Sequence, residues 1–252
     1  NVKQIVYRLF GNEDTMYLAL QQGDVDMVWS YSTGVAGTYQ DVLAGDENVT
    51  LINVAAANAP AVLAFNNAKG LFVDENLRQA VSYALDYDAF KTYFGSAYAQ
   101  IPNRGFVPET TVGYKQTEKL TTDQAKAAEY MAAAGYSEKN GNGFYVNGDG
   151  QIASFTLTVN AAKEAHVGYA EMIKNQLEQF GIQVNLDTVD KDAYNAKTSN
   201  KFSENNITME AAIYGYTAAG MGMGNGLGSI YVDGGHAVQG GCQVFDEAFQ
   251  NI

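Results

Sequence analysis

The first places to look for chemistry in this chain are its carboxylates, its two histidines, its single cysteine, its serines and its aromatic rings. Asp24 with Asp26, and Asp86 with Asp88, are spaced carboxylate pairs of the kind a general acid and base would use. Each pair falls beside a helix end or turn with no further partner nearby in sequence, so solvated side chains describe them better than catalysis. His166, His236 and Cys242 lack the spacing of a three- or four-ligand zinc set, and neither a metal nor another cofactor is expected. No Gly-x-Ser-x-Gly elbow occurs, and no spacing of Ser, His and Asp selects a triad.

The segment YGYTAAGMGMGNGLG, Tyr214 to Gly228, has glycine at every second position from Gly220 and follows a strand-like run. That placement invites the dinucleotide test. Counting from Gly222 puts Leu227 where the third glycine belongs, counting from Gly224 puts Ser229 there, and no helical pattern follows. A Gly-Lys-Ser/Thr phosphate loop is absent as well. Nucleotide binding is therefore not expected, and the loop must be shaped around something else.

Aromatic residues are the better candidates for recognition. Trp29, Tyr31, Tyr214 and Tyr216 lie at the C-terminal ends of predicted strands, the edge at which open α/β sheets meet ligands, with Met221 and Met223 close by. Such rings bury much apolar area and keep a polar tip. Packing and ligand recognition both fit this pattern.

The elements that must position them alternate between the two periods. Residues 4–10 (QIVYRLF) and 25–29 (VDMVW) read as strands around a helix-compatible 13–22, and a helical stretch 35–44 precedes an extended run 49–66 that contains Pro60. The segment 72–94 carries Leu77, Ala80 or Val81, Ala84 and Leu85 at helical spacing and predicts one amphipathic helix with Asp74 as N-cap. Pro102, Gly105 and Pro108 make 95–118 irregular. Thr121 and Gln124 have capping-box spacing for an alanine-rich helix over 122–134 that Gly135 closes, and Asn147-Gly-Asp-Gly150 predicts a hairpin turn between two strand runs. A helix 165–180 stopped by Gly181, a strand 182–189 and a strand 207–216 complete the α/β pattern.

With 252 residues, one or two domains fit, and near-half apolar content with ordinary charge density specifies a folded chain. A net charge of −13 with only 15 Lys+Arg argues against nucleic acid or an anionic membrane as partner. One cysteine excludes an internal disulfide. Neither a membrane-length apolar run nor a signal-peptide pattern is present, and the abrupt start and finish suggest a piece of something longer.

Four ordered motifs then identify a family. YLALQQGDVDMV (17–28) resembles the AL-x-x-G-x-hydrophobic-D element of the family-5 extracytoplasmic solute-binding proteins of ABC transporters, the group of the oligopeptide, dipeptide and nickel receptors. Residues 63–90 are similar to their most recognisable segment through Asn66, Asp74, Arg78, Ala80, Ala84 and Asp86. AAEYMAAAGY (127–136) and IKNQLEQFGIQVNLDTVD (173–190) resemble two further elements of the same family.

The resemblance implies a periplasmic-binding-protein-like α/β fold (type II, class C) with two lobes that close on a solute by hinge motion. Residues 1–57 would be the C-terminal part of lobe one, 58–65 a hinge crossing and 66–252 the second lobe. The expected function is non-enzymatic. The chain would be part of the substrate-binding component of an ABC importer that captures a small solute, in the first place a peptide, and hands it to a permease and ATPase. It would act outside the cytoplasm, as a monomer, in a full-length protein anchored by a lipid beyond this segment. Alternatives are a receptor of the same family for a nickel chelate or oligosaccharide, a sensing or adhesion module, and an extracellular hydrolase. By the same resemblance the cleft would take Tyr214, Tyr216 and Met221 from lobe two and Trp29, Ser30 and Tyr31 from lobe one. Peptide-binding relatives carry a glycine and tryptophan at the strand end and, three residues later, an aspartate for the peptide amino terminus; here Gly215, Tyr216 and Ala219 hold those places. Arg78 and Asp86 are expected to be structural.

Overall fold

A computed structural model of the chain describes residues 2–28, 35, 37–52, 58–68, 70–94, 99–104, 114–198 and 207–217, with Asn58–Pro60, Tyr216 and Thr217 through their backbone only. The chain divides into two compact units, Asn1–Ala56 with Lys91–Gln100, and Ala57–Phe90 with Ile101–Ile252.

In the first unit, α1 (Glu13–Gln21) begins where the Asn12 side chain accepts the Thr15 N–H at 2.9 Å, with Glu13 and Asp14 on the favourable end of the helix dipole. Helix α2 (Gly37–Ala44) follows. Tyr17, Ala19 and Leu43 are buried, and the Tyr17 and Tyr39 ring centroids are 4.6 Å apart. A hydrogen bond from Tyr39 to the Asp14 carboxylate pushes the Tyr39 pKa up to about 12. The strand expected over 4–10 does not form. Val6 and Leu9 are 78% and 95% exposed, and the described residues of this unit include no strand with which a β-branched run could pair. Residues 25–28 likewise bend rather than extend into a ladder.

The second unit is built on a four-stranded sheet of order β1-β6-β4-β5, from β1 (Asn58–Phe65), β4 (Ser154–Asn160), β5 (Gln183–Val189) and β6 (Ala211–Thr217). Strand β4 runs parallel to both β5 and β6, while β1 is antiparallel to β6. Pro60 sits at the irregularity between Ala59 and Val62 on the edge strand, a place where a missing N–H breaks no central ladder.

One sheet face carries Phe155, Leu157, Val159, Val184 and Ile213, all buried. Helices α3 (Glu75–Ala84), α5 (Gln124–Ala133) and α6 (Glu164–Phe180) complete its core through Leu77, Val81, Met131, Ile173 and Leu177. Phe72, in a short 3-10 turn (Gly70–Val73), packs its ring 4.8 Å from that of Phe155.

The single helix expected over 72–94 is two. Asp74 caps α3 as its sequence position predicts, accepting the Asn76 N–H at 2.8 Å, but Leu85 turns extended. Asp86 then caps α4 (Tyr87–Phe94) by accepting the Ala89 N–H at 3.1 Å, while its own N–H donates to Gln176. Arg78 donates to the Phe72 carbonyl at 2.7 Å, so Arg78 and Asp86 are structural, as read from the sequence.

The capping box is also displaced. Asp123, not Thr121, caps α5 by accepting the Lys126 N–H, and Gln124 donates instead to the Ala84 carbonyl. The Asn147–Gly150 turn is present, with Asn147 accepting the Asp149 and Gln151 N–H groups. Its flanks form the expected hairpin in a short version, with Val146 bridging Ile152 antiparallel and the Ala153 N–H donating to the Tyr145 carbonyl at 2.8 Å. The two-residue β3 (Tyr145–Val146) also pairs with β2 (Glu138–Lys139), while β4 joins the parallel sheet.

Gly135 and Gly181 both take positive φ, at 86° and 118°, closing α5 and α6 as expected. Lys139 Nζ donates to the Phe180 carbonyl at 2.6 Å, satisfying one of the last carbonyls of α6. Strand β5 is an edge strand whose outward Val184 N–H and carbonyl meet Glu178 and Lys174 of α6. That clamp blocks strand addition at this point.

Candidate functional site

Because β4, β5 and β6 are parallel, their C-terminal ends, Asn160, Val189 and Thr217, lie along one edge of the sheet. This is the edge on which ligands meet open α/β sheets. The second sheet face, which leads to it, is unlike the first. It carries Thr158, Asn160, Asp187, Ala212 and Tyr214, and it is crossed by α7 (Lys191–Thr198), a helix absent from the sequence reading.

Thr158 is 1% exposed, yet its hydroxyl has a partner in Asp187 at 3.2 Å, and Asp187 accepts from Lys197 of α7 at 2.5 Å. Asn160 accepts the Ala162 N–H at 3.0 Å, and Asp190 caps α7 through the Asp192 and Ala193 N–H groups. Buried polar groups on this face are therefore satisfied within the chain. Tyr194, Ile207, Met209 and Ala212 form a small second core, with Tyr214 packed against it.

Of the expected site residues, Tyr214 and Tyr216 lie on β6. Tyr214 is half-buried, and its hydroxyl donates to the Thr198 carbonyl at 2.8 Å, so its polar tip serves the end of α7. The backbone of Tyr216, one alternation further along, is opposite Ala59 of β1. Trp29, Ser30, Tyr31, Ala219 and Met221 lie outside the described residues, as does the glycine run. Tyr194 was not singled out by sequence. The signal available was an aromatic in an alanine- and lysine-containing stretch with weak periodicity.

No group of three or more His, Cys, Asp or Glu is placed to hold a metal among the described residues, and no helix there is long and apolar enough to cross a membrane. Burial pushes the Tyr87 phenol up, a shift moderated by its hydrogen bond with Ser82 and by the Arg104 charge. Tyr87 opens α4 and packs against the main core, and its hydroxyl donates to the Ser82 carbonyl at 2.6 Å. Arg104 lies over the Tyr83 ring at 4.2 Å, an arrangement of the helical layer.

The described geometry is thus that of an α/β scaffold whose parallel strands end along one edge. Known proteins share that architecture. The model of the bacterial extracellular solute-binding proteins, family 5 Middle, matches residues 1–234. The oligopeptide-binding protein AppA of Bacillus subtilis (strain 168) is 23% identical over 191 residues, 74% of this chain and 33% of that protein. Among solved structures, DppA from Helicobacter pylori in complex with the peptide STSA superposes with a TM-score of 0.74 at 22% identity, covering 97% of this chain and 44% of its own. NikA from Brucella suis in complex with Fe(III)-EDTA does so at 0.75 with 18% identity, covering 96% and 45%. The chain spans about half the length of these solved proteins and a third of the curated relative. Its α/β architecture is that of the periplasmic binding proteins, and its relatives are binding proteins rather than enzymes. From the match over residues 1–234, this chain belongs to the bacterial extracellular solute-binding proteins of family 5.

Proposed function

We propose that this chain forms the greater part of one lobe, and a portion of the other, in the receptor subunit of an ABC importer that captures a peptide outside the cytoplasm and delivers it to its permease and ATPase. The observation that carries this reading is the family match over residues 1–234, joined to relatives whose bound molecules include a nonapeptide, for AppA, and the peptide STSA, for DppA. In this reading 1–57 belongs to lobe one, 58–65 is a crossing and 66–252 is lobe two; the division of the chain after Ala56 supports the first of these boundaries, whereas Lys91–Gln100 group with the first unit. The full-length protein acts as a monomer held at the membrane by a lipid beyond this segment.

Tyr216 is the residue we place at the ligand, and Trp29, Ser30, Tyr31, Ala219 and Met221 are proposed as further ligand residues. Support comes from its position two residues beyond Tyr214 on β6, at the carboxyl edge of the parallel strands. An aromatic platform there buries ligand area without demanding one side-chain identity. Tyr214 belongs to this site through the strand it stabilises. Titration of the full-length protein with a mixture of short peptides, followed by calorimetry, tests the reading. Saturable binding that falls at least about tenfold in Tyr216→Ala supports it. Absence of peptide binding overturns the peptide assignment, and unchanged affinity in the variant overturns the site.

A second reading, a non-peptide solute such as a metal chelate, is favoured by one feature. Ala219 stands where peptide-binding relatives carry the aspartate for the amino terminus, so an ammonium group has no counter-charge at that position. Binding of nickel–histidine in place of peptides in the same titration selects it.

A further inference from the structure

Strand β6 keeps one of its two partners and loses the other near its start. It pairs with β4 through Ala211 and Ala212, opposite Leu157 and Thr158, while its pairing with β1 continues to Thr217. The Glu210 carbonyl accepts the Asn66 N–H at 2.8 Å on the β1 side. Alternation along a strand then turns the Ile213 carbonyl to the β4 side, beyond the last β4 partner.

That carbonyl is met by a side chain. Tyr194 of α7 donates its hydroxyl to the Ile213 oxygen at 2.6 Å in a buried setting. In return Tyr214 of β6 donates to the Thr198 carbonyl at the end of α7, at 2.8 Å, and Thr198 Oγ1 donates to the Tyr194 carbonyl at 2.7 Å. The two tyrosine rings meet edge to face, with centroids 6.1 Å apart and planes at 63°. Helix α7 is itself fixed by Lys197 on Asp187, and its Lys197 carbonyl accepts the Thr208 and Met209 N–H groups at 3.0 and 3.3 Å as the chain enters β6.

We propose that Tyr194 and Tyr214 are a reciprocal latch, positioning residues that hold Ile213–Thr217 of β6 on the side where its pairing with β4 has stopped at Ala212. This rests on the reading of β6 as the strand that carries Tyr216 to the ligand. The latch replaces a ladder hydrogen bond with a side-chain one, so the strand keeps its direction to the sheet edge. No other strand among the described residues could do this, since β4 stops pairing at Thr158 and β1 occupies the opposite side.

The test uses the full-length protein with Tyr194→Phe and Tyr214→Phe, which keep both rings and remove one hydroxyl each. Amide hydrogen exchange without ligand is expected to rise roughly tenfold over Ile213–Thr217 in either variant while Phe155–Val159 of β4 is unchanged. Affinity for trialanine, read by calorimetry, is expected to fall several-fold. Unchanged exchange over Ile213–Thr217, or an equal rise across β4, overturns the latch. Raised exchange with unaltered trialanine affinity overturns its role in positioning the ligand edge. If the unmodified protein binds no trialanine, the exchange arm alone decides the latch, and the titration with the peptide mixture decides the peptide reading.

Discussion

On one face of the β1-β6-β4-β5 sheet, Phe155, Leu157 and Ile213 lie buried beneath the α3, α5 and α6 layer; on the other, Thr158, Asp187 and Tyr214 meet one eight-residue helix. The first face is held by burial, which is non-directional and large, each such side chain contributing roughly 1.5–3 kcal/mol. The second has only a small apolar cluster, Tyr194, Ile207, Met209 and Ala212, and adds hydroxyl and charge contacts of about 1 kcal/mol each, which set geometry more than stability. Stability and placement are thus assigned to opposite sides of one sheet. The polar side is the one that continues to the strand ends where a ligand is expected. A similar contrast separates the units: the larger one closes its core, whereas residues 2–10 of the smaller one leave Val6 and Leu9 in solvent.

Matched substitutions on the two faces would break or sharpen this contrast. Phe155→Ala removes a ring that touches Phe72 at 4.8 Å and is 1% exposed, and about 3–5 kcal/mol of unfolding free energy should be lost in urea melts of the full-length protein. A loss below about 1 kcal/mol would show that the apolar face is not the main source of stability. Gly181→Ala tests the end of that same layer. Its φ of 118° and a Cβ only 2.9 Å from the Gly143 carbonyl oxygen predict a cost of about 1–3 kcal/mol, readable as a lowered Tm. Asp74→Ala removes the α3 cap and should cost about 1 kcal/mol, with Asp74→Asn restoring most of it. Thr158→Val, on the polar face, keeps the shape, leaves Asp187 its Lys197 partner, and should move stability by less than about 1 kcal/mol. If Thr158→Val costs as much as Phe155→Ala, the division between the faces is wrong.

The apolar face was legible in the sequence because its signals are local and periodic. Leu77, Val81 and Ala84 recur at helical spacing, Ile173, Leu177 and Phe180 do so before Gly181, and the strand run over 183–189 follows directly. What the sequence misread depended on partners distant in the chain. Residues 4–10 have strand composition but no strand to pair with among the described residues of their unit. The break at Leu85 needs Gln176, ninety residues away, to receive the Asp86 N–H. Gln124 looks like the far member of a capping box with Thr121 but turns to the Ala84 carbonyl of α3, beside Thr122, which donates to that of Leu85. Helix α7 escaped because its attachment to the sheet is made by Tyr194, Lys197 and Thr198 through hydroxyls and charge, which leave little hydrophobic period to read. For the site, Tyr214 and Tyr216 were visible as aromatics at a strand end, whereas the use of the Tyr214 hydroxyl to hold α7 required the fold.

Native mass spectrometry of the freshly purified full-length protein tests the central claim most directly. A solute receptor whose β6 edge carries the ligand should appear with a bound species of peptide mass, and Tyr216→Ala should release it while the protein stays folded. A wild-type protein that carries no such species and takes up none from an added peptide mixture would contradict the account.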